Sequence, residues 1–416
     1  MSDPSLLAPS SMTPSRTSGS WRGQAWARLE RMSRGRLTRD GLEAAAAQLF
    51  PLAFILVLAY AAVQIEAGNI AAGVFGFDFR GTLWDPARAI ADGVSPYPPP
   101  VDSAVATGNP ALYPPLAPLV LVPLGFLPWE LALTVWTTVL VLAVIVAVRL
   151  VGVRDWRCYA YALLCPLVAD GLIFGNLVIL LLVGVCAAWR WRDRPVVVGI
   201  AVGLTVAAKI VTWPLLVWLL VTRRLRGLAW AGGTTATAIV VPWALIGFRG
   251  LADYPSLLRA ADRVYGPHGF SLAATADALG ASELRSLAYL GAAVLALVAC
   301  AASRRDFDAY AFSILAVVLV SPIAWPYSFV LLLAPVAAAR TRLSYAWVAL
   351  PVLFVAAAAV PHPTSPVAAC CRPVRTPVGV WEFLHVPPSV WRPPAFAIAA
   401  ALTVLAATRV ARRRAS

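Results

Sequence analysis

From Gly76 to Tyr97 the chain reads GFDFRGTLWDPARAIADGVSPY. This short aromatic stretch carries three carboxylates (Asp78, Asp85, Asp92) and two guanidiniums (Arg80, Arg88), and Tyr113-Pro114-Pro115 follows it. In a chain otherwise poor in charge, such a concentration marks the stretch where chemistry is expected. A carboxylate can take a proton while a cation holds an anionic leaving group. Pro86 directly after Asp85 suits a helix N-cap with proline at the first helical position. Asp92-Gly93 reads as a helix terminus. Asp78 has a structural reading too, as a partner of Arg80 or a helix cap.

The elements that must hold this stretch are membrane helices. Over 416 residues, 60% are hydrophobic and 13% charged, and the mean hydropathy is +0.76. Repeated apolar runs of about 18 residues or more exclude a soluble globule and describe a bundle of spans. The net charge of +14 does not mark a nucleic-acid binder, because the arginines stand between apolar runs, where they act as topological signals. Lysine occurs once, at Lys209. Cys158, Cys165, Cys186 and Cys300 fall in apolar runs as small buried hydrophobes, and a disulfide between the neighbours Cys370 and Cys371 would be strained.

Residues 1–43 are polar, Arg-rich and without an apolar core, so they read as a disordered basic cytoplasmic tail and not as a signal peptide. Residues 44–411 form the membrane domain, with a first outer loop at 67–115, further outer loops at 248–284 and 362–392, and a cytoplasmic tail at 412–416. The first span covers Ala46 to Ile65 and a clear second one Trp129 to Leu150. The piece at 116–127, broken by Pro118 and Pro123, is interfacial or re-entrant. Arginines cluster at 149–157, 190–194, 223–226, 304–305, 340–342 and 409–414. If all clusters are cytoplasmic, the apolar stretches between them cross an even number of times. Stretches 158–189, 195–222 and 307–339 are then pairs of short helices, and single spans near 227–247, 285–302, 343–361 and 393–411 flank outer loops. The total is about twelve spans with both termini inside.

In this topology the midpoint of each paired stretch turns on the face that bears Asp78. Those midpoints hold Asp170-Gly171…Gly175-Asn176, Lys209 with Trp213-Pro214, and Ser321-Pro322 through Trp325-Pro326-Tyr327-Ser328. Broken backbone and an ionisable group at membrane depth need a protein-lined or wet cavity. Helix N-termini at such breaks favour an anion, and Lys209 adds a full charge suited to phosphate. His268, His362 and His385 fall in outer loops. Trp84, Tyr97, Tyr113, Trp213 and Trp325 can stack on a sugar or anchor at the interface.

The order Asp78-Phe79, Gly93, Pro96-Tyr97 and Tyr113-Pro114-Pro115 resembles the first outer loop of glycosyltransferase family 87. The resemblance continues through Gly175-Asn176, Lys209 with Pro214, Ser271-Leu272 and Ser321-Pro322…Trp325, covering roughly residues 76–340. Two departures stand out. Pro326-Tyr327-Ser328 occupies positions where the family often has a histidine, and Lys209 lies further from its proline than in the family pattern. The resemblance implies an all-α polytopic membrane protein with a GT-C-type bundle. It also implies a hexosyltransferase that moves mannose from a polyprenyl-phosphate carrier to a glycolipid or glycan hydroxyl. The site set expected is Asp78 as base; Lys209, Arg80, Arg88 and Asn176 at the donor phosphate; and Trp84, Tyr97, Tyr113, Ser271, Ser321, Trp325, Tyr327 and His268 lining the substrates. No metal and no cofactor besides the donor is expected. The partners are the lipid-linked donor, the acceptor and membrane lipid, and the expected location is the cell (plasma) membrane with the active site on its outer face.

Three rivals differ in kind. Asp306-Phe307-Asp308 is a DxD pattern of nucleotide-sugar transferases, but Arg304-Arg305 places it on the cytoplasmic side. A secondary transporter or lipid flippase also uses broken helices, near the midplane and in repeated halves; no internal repeat is visible here. A non-catalytic scaffold is the third.

Overall fold

The computed structural model describes residues 53–57, separate positions from 59 to 70, and 73–106, 109–358 and 388–415. The chain divides into two units, Met1–Phe54 and Ile55–Ser416, and the elements from Phe79 onward belong to the second. The expected tail 1–43, most of the first span, and 362–387 with His362, His385, Cys370 and Cys371 lie outside the described residues.

Among the described residues every regular element is helical. The first loop opens with a π-helical turn, Phe79–Trp84, which runs directly into α1 (Asp85–Ala91). Asp92 ends α1 and Gly93 follows at φ +72, as its Asp-Gly pair predicts. Asp85 is not an N-cap, since the turn before it is already helical; its carboxylate pairs instead with Arg80 at 3.9 Å. A π turn repeats every five residues, and the Asp85 N–H donates to Arg80 O accordingly. Short helices α2 (Asp102–Ala106), α3 (Leu116–Val120) and α4 (Val122–Gly125) complete the loop, the last two too short to cross a bilayer.

The long helix α5 (Trp129–Leu150) begins after Pro128, with Glu130 in its first turn and Arg149 in its last, both matched to the helix dipole. Asp155 then caps α6 (Trp156–Leu163) by accepting from Arg157 N at 3.2 Å. Helix α7 (Pro166–Phe174) follows at 58° to α6, and α8 is Val178–Arg190. Next come α9 (Pro195–Ala208), a 3₁₀ turn at Ile210–Thr212, α10 (Pro214–Val221) and α11 (Leu225–Leu245). The middle loop supplies α12 (Tyr254–Tyr265) and α13 (Leu272–Ala278) before α14 (Arg285–Ala302). After α15 (Asp306–Leu319) the chain breaks, makes a 3₁₀ stretch Pro326–Leu332, and continues through α16 (Leu333–Ala339), α17 (Tyr345–Ala358) and α18 (Pro388–Ala415).

By length and composition four helices can cross a membrane, five if the bent α6–α7 pair is one span. Each paired stretch read from the arginines is present as helical pieces on either side of a break. Those breaks fall at Gly175-Asn176, Lys209 and 320–325. Cys158, Cys165, Cys186 and Cys300 are buried free thiols.

The sequence order of α8, α9, α10 and α15 gives the bundle two ends. One end collects the breaks. The other collects the arginine clusters, which bind one another through acids. Arg224 forks onto Asp306 at 2.7 and 2.9 Å, Arg192 reaches the same carboxylate at 3.2 Å, and Trp218 donates to it at 3.0 Å. Arg412 pairs with Asp308 at 2.8 Å, and Asp155 accepts from Leu343 N at 3.1 Å. Both acids of the DxD pattern are thereby engaged by arginines. Helix α8 has 13 residues, so the two ends stand about 20 Å apart at 1.5 Å per residue.

Candidate active site

Asp78 is the residue on which the break end converges. It precedes the π turn, makes no side-chain cap, and is buried at 6% exposure. Asn176 Nδ2 donates to its Oδ2 at 2.6 Å and Asn109 Nδ2 to its Oδ1 at 2.8 Å. The Tyr327 hydroxyl donates to the same carboxylate, and the Lys209 ammonium attracts it electrostatically. Thus each of the three helix breaks sends one residue: Asn176 from the first, Lys209 from the second and Tyr327 from the third. Burial pushes the Asp78 carboxyl above the usual carboxylate range; the Asn176, Tyr327 and Asn109 donors and the Lys209 charge pull it part of the way back.

Local packing explains how the loop is seated. Gly76 N donates to Ile173 O at 2.7 Å, docking the loop on the end of α7. Phe79 stacks on Trp136 of α5 at 5.1 Å, and the Trp136 indole donates to Gly175 O at 2.8 Å. Gly175 closes α7 in the left-handed region at φ +70, and a Cβ there would lie 2.8 Å from that of Phe79. Gly81 lets the Asn109 backbone approach, for a Cβ at 81 would meet Asn109 O at 2.2 Å. Asn109 is thereby brought to Asp78. Sequence reading missed it; its only signal was a polar residue just ahead of the Tyr-Pro-Pro turn.

Tyr113 joins the site. Its hydroxyl lies 3.4 Å from Asn176 Oδ1, which also accepts from Val178 N at 2.9 Å, and Lys209 Nζ sits 5.9 Å from its ring centre. Other expected residues stand elsewhere. Arg80 lies over Trp129 at 5.3 Å and pairs with Asp85; Arg88 lies over Trp84 at 4.8 Å. Trp84 packs edge-on to Trp129 and donates to Leu124 O at 3.0 Å. Tyr97 stacks on Trp243 and donates to Tyr113 O at 3.0 Å, joining the first loop to the apolar face of α12. His268 is exposed on a 3₁₀ turn.

The middle-loop and last-turn motifs lock to each other. Ser271 Oγ donates to Pro322 O at 2.6 Å and Phe270 N to Ala324 O at 2.6 Å. Ser321 Oγ turns onto Ile323 O at 2.5 Å, and Trp325 N donates to Ser328 Oγ at 3.3 Å while the indole stays half-buried. Ser271 and Ser321 thus shape the turn that presents Tyr327. Among the described residues no group of three or more His, Cys, Asp and Glu is placed to hold a metal ion.

A bundle of apolar helices with a buried carboxylate, an amide, a phenol and an ammonium at its breaks has the build of a helical membrane protein with a buried polar site. The particular family follows from comparison: the family model of glycosyltransferase family 87 matches residues 111–326, and the chain belongs to that family. It is a glycosyltransferase. The matched segment contains Tyr113, Asn176, Lys209, Ser271 and Ser321, whereas Asp78 lies before it. No curated protein and no solved structure matches the chain.

Proposed function

We propose that the protein transfers a hexosyl group, mannosyl in the first instance, from a polyprenyl-phosphate donor to a glycolipid or glycan hydroxyl. The observation that carries this reading is the convergence of all three breaks on Asp78. The acceptor hydroxyl attacks the anomeric carbon opposite the phosphate, and Asp78 takes its proton. The carbon–oxygen bond to phosphate then breaks with inversion, and polyprenyl phosphate leaves with the bonding pair. Asn109, Asn176 and Tyr327 hold the carboxylate by neutral donors, which orient it without neutralising it. Lys209 opposes the charge that grows on the leaving phosphate. Arg80 and Arg88, which lie over Trp129 and Trp84, are assigned to steering the anionic donor toward the site.

Depth supports a lipid-borne donor. The arginine end fits the cytoplasmic interface, and a separation of about 20 Å puts the breaks inside a hydrocarbon core of about 30 Å, below the opposite headgroups. The active site then opens to the outer leaflet of a cell membrane, with both termini cytoplasmic. The broken stretches enter from the arginine face and turn back at that depth, so about twelve is a count of helical passages that includes their half-crossings. An open apolar groove of about 1000 Å³ between α9 and α11 reaches Leu116, close in sequence to the Tyr113 that Lys209 overlies. It is suited to the donor's polyprenyl chain.

The test is to supply membranes containing the protein with radiolabelled polyprenyl-phosphate mannose and identify the lipid or glycan that gains label. Label from a nucleotide sugar but not from the lipid-linked donor would overturn the reading. Orientation is tested with Lys209→Cys, which should react with a membrane-impermeant thiol reagent from outside; labelling only from the cytoplasm would reverse the topology.

A further inference from the structure

At the arginine end a second polar pocket, of about 360 Å³, lies where α14 turns into α15 beside the end of α18. Ser303, Arg304, Arg305, Asp308 and Arg412 line it together with Ala299 and Ala302. Arg304 and Arg305 are exposed and have no carboxylate partner among the described residues. Asp308 is buried, at 4% exposure. Both Arg412 contacts, at 2.8 and 3.2 Å, fall on its Oδ2, and Oδ1 is buried without a donor. A buried carboxylate oxygen in that state costs free energy until something donates to it.

The pocket's surroundings select the class of ligand. Leu287, Leu290, Val294 and Val298 are exposed and recur at helical spacing on one face of α14, and that face leads to Ala302 at the pocket's rim. An apolar stripe that ends in a basic pocket matches a molecule with acyl chains and a phosphate at one end. Because α14 is long and apolar enough to cross a membrane, the stripe faces acyl chains and the pocket at its end lies at the level of the phospholipid headgroups. We infer that this pocket holds the headgroup of an anionic phospholipid carrying a free hydroxyl, with its phosphodiester against Arg304 and Arg305, its hydroxyl donating to Asp308 Oδ1, and its acyl chains along α14. Bound there, the lipid ties the α14–α15 corner to α18 through Arg412.

Lipid retention does not depend on the transfer reaction, so binding tests the site directly. The full chain, purified in detergent, is incubated with mixed micelles of phosphatidylglycerol and phosphatidylcholine and repurified, and retained lipid is quantified by mass spectrometry. Wild type should retain phosphatidylglycerol selectively. Arg304→Gln with Arg305→Gln should weaken that retention by about fivefold per arginine, roughly 25-fold for the pair, on the scale of a basic residue at a lipid surface. Ala302→Trp, which fills the pocket and leaves every charge in place, should do the same; it serves if the double variant folds poorly. Phosphatidylethanol, with the same charge and no hydroxyl, should bind about tenfold more weakly, the value of one hydrogen bond to a charged group. Equal retention of phosphatidylcholine, or full retention by both variants, overturns the site. Phosphatidylethanol binding as well as phosphatidylglycerol overturns the role of Asp308. Displacement by glycerol 1-phosphate at the lipid's own concentration overturns the lipid in favour of a soluble phosphate.

Discussion

Asp78 and Asp306 occupy opposite ends of the same bundle, and each is held by several donors. Around Asp306 the donors are two guanidiniums and an indole N–H. Around Asp78 they are two carboxamides and a phenol, with one ammonium acting through space. The loop acid Asp155 follows the arginine pattern: Arg157 beside it holds its carboxyl below the usual range, whereas burial drives that of Asp78 the other way. Guanidinium pairing removes basicity and fixes geometry. Neutral donors fix geometry and leave a carboxylate able to accept a proton. The bundle thus holds its acids with guanidiniums at one end and holds Asp78 with neutral donors at the other, as its proposed role as base requires.

The sharpest way to break this contrast is the pair Asp78→Asn and Asp306→Asn. Asn at 78 keeps the shape and one of the two acceptor oxygens but cannot accept a proton, so transfer should fall by roughly 10²–10⁴-fold, while the chain still folds and inserts with at most a small drop in its unfolding midpoint. Asn at 306 should leave the rate per folded molecule within a few-fold of wild type. Radiolabel transfer in membranes measures both, and an Asp78→Asn enzyme within a few-fold of wild type would remove Asp78 as base.

Lys209→Met comes next. Methionine keeps the unbranched stem, and what disappears is one charge facing the leaving phosphate, about 10–100-fold in rate. Because charge builds as the glycosyl bond breaks, part of the loss should appear in kcat and not only in donor KM. Arginine at 209 should restore activity only in part, its fork differing in reach. Unchanged donor kinetics would leave the phosphate to Arg80, Arg88 or backbone amides.

At the arginine end, Asp306→Ala leaves Arg192 and Arg224 with the exposed Asp193 as their remaining carboxylate, at 3.9 and 3.2 Å. The pairs are partly exposed, so the cost is roughly 1–3 kcal/mol, between surface and buried limits. It should appear as a lowered unfolding midpoint at full specific activity. A loss of activity without a loss of stability would contradict the division of labour.

The smallest expected effect is a shift in pH dependence. The base works when ionised and its carboxyl is raised, so activity is present above that pKa and is lost as pH falls through it. The acid limb should stand above the usual carboxylate value of about 4. Asn109→Leu removes a donor that favours the ionised form, so the limb should move further up. A limb that moves down, or does not move, would show that Asn109 does not act on the base.

Much of the fold was legible because it is written in local chemistry. The span Trp129 to Leu150 coincides with α5, and Arg285–Ala302 with the stretch read at 285–302. The three interruptions fall where the midpoints between arginine clusters placed them, since Gly175, Lys209 and Pro322 each disrupt an apolar helix by their own conformational or solvation needs. Less was legible in the first loop. Asp85 ahead of Pro86 read as a cap, but the π turn before it is continuous with α1 and gives Asp85 to Arg80. Tyr97 and Trp84 carried the right aromatic signal and serve packing, a distinction that only their neighbours make.

By itself, then, the sequence determined the membrane class, the helical pieces between arginine clusters, the three breaks and Asp78 as the carboxylate to watch. Hydropathy, charge and proline act on adjacent residues, and adjacency is what a sequence records. The tertiary structure decided which of the polar residues meet. It brought Asn109, Asn176, Lys209 and Tyr327 to Asp78 and turned Arg80, Trp84, Arg88 and Tyr97 elsewhere. Those meetings depend on the π turn at Phe79–Trp84, on Gly81 admitting the Asn109 backbone and on Gly175 admitting Phe79. These are contacts between segments far apart in the chain, set by steric fit, and no local spacing encodes them.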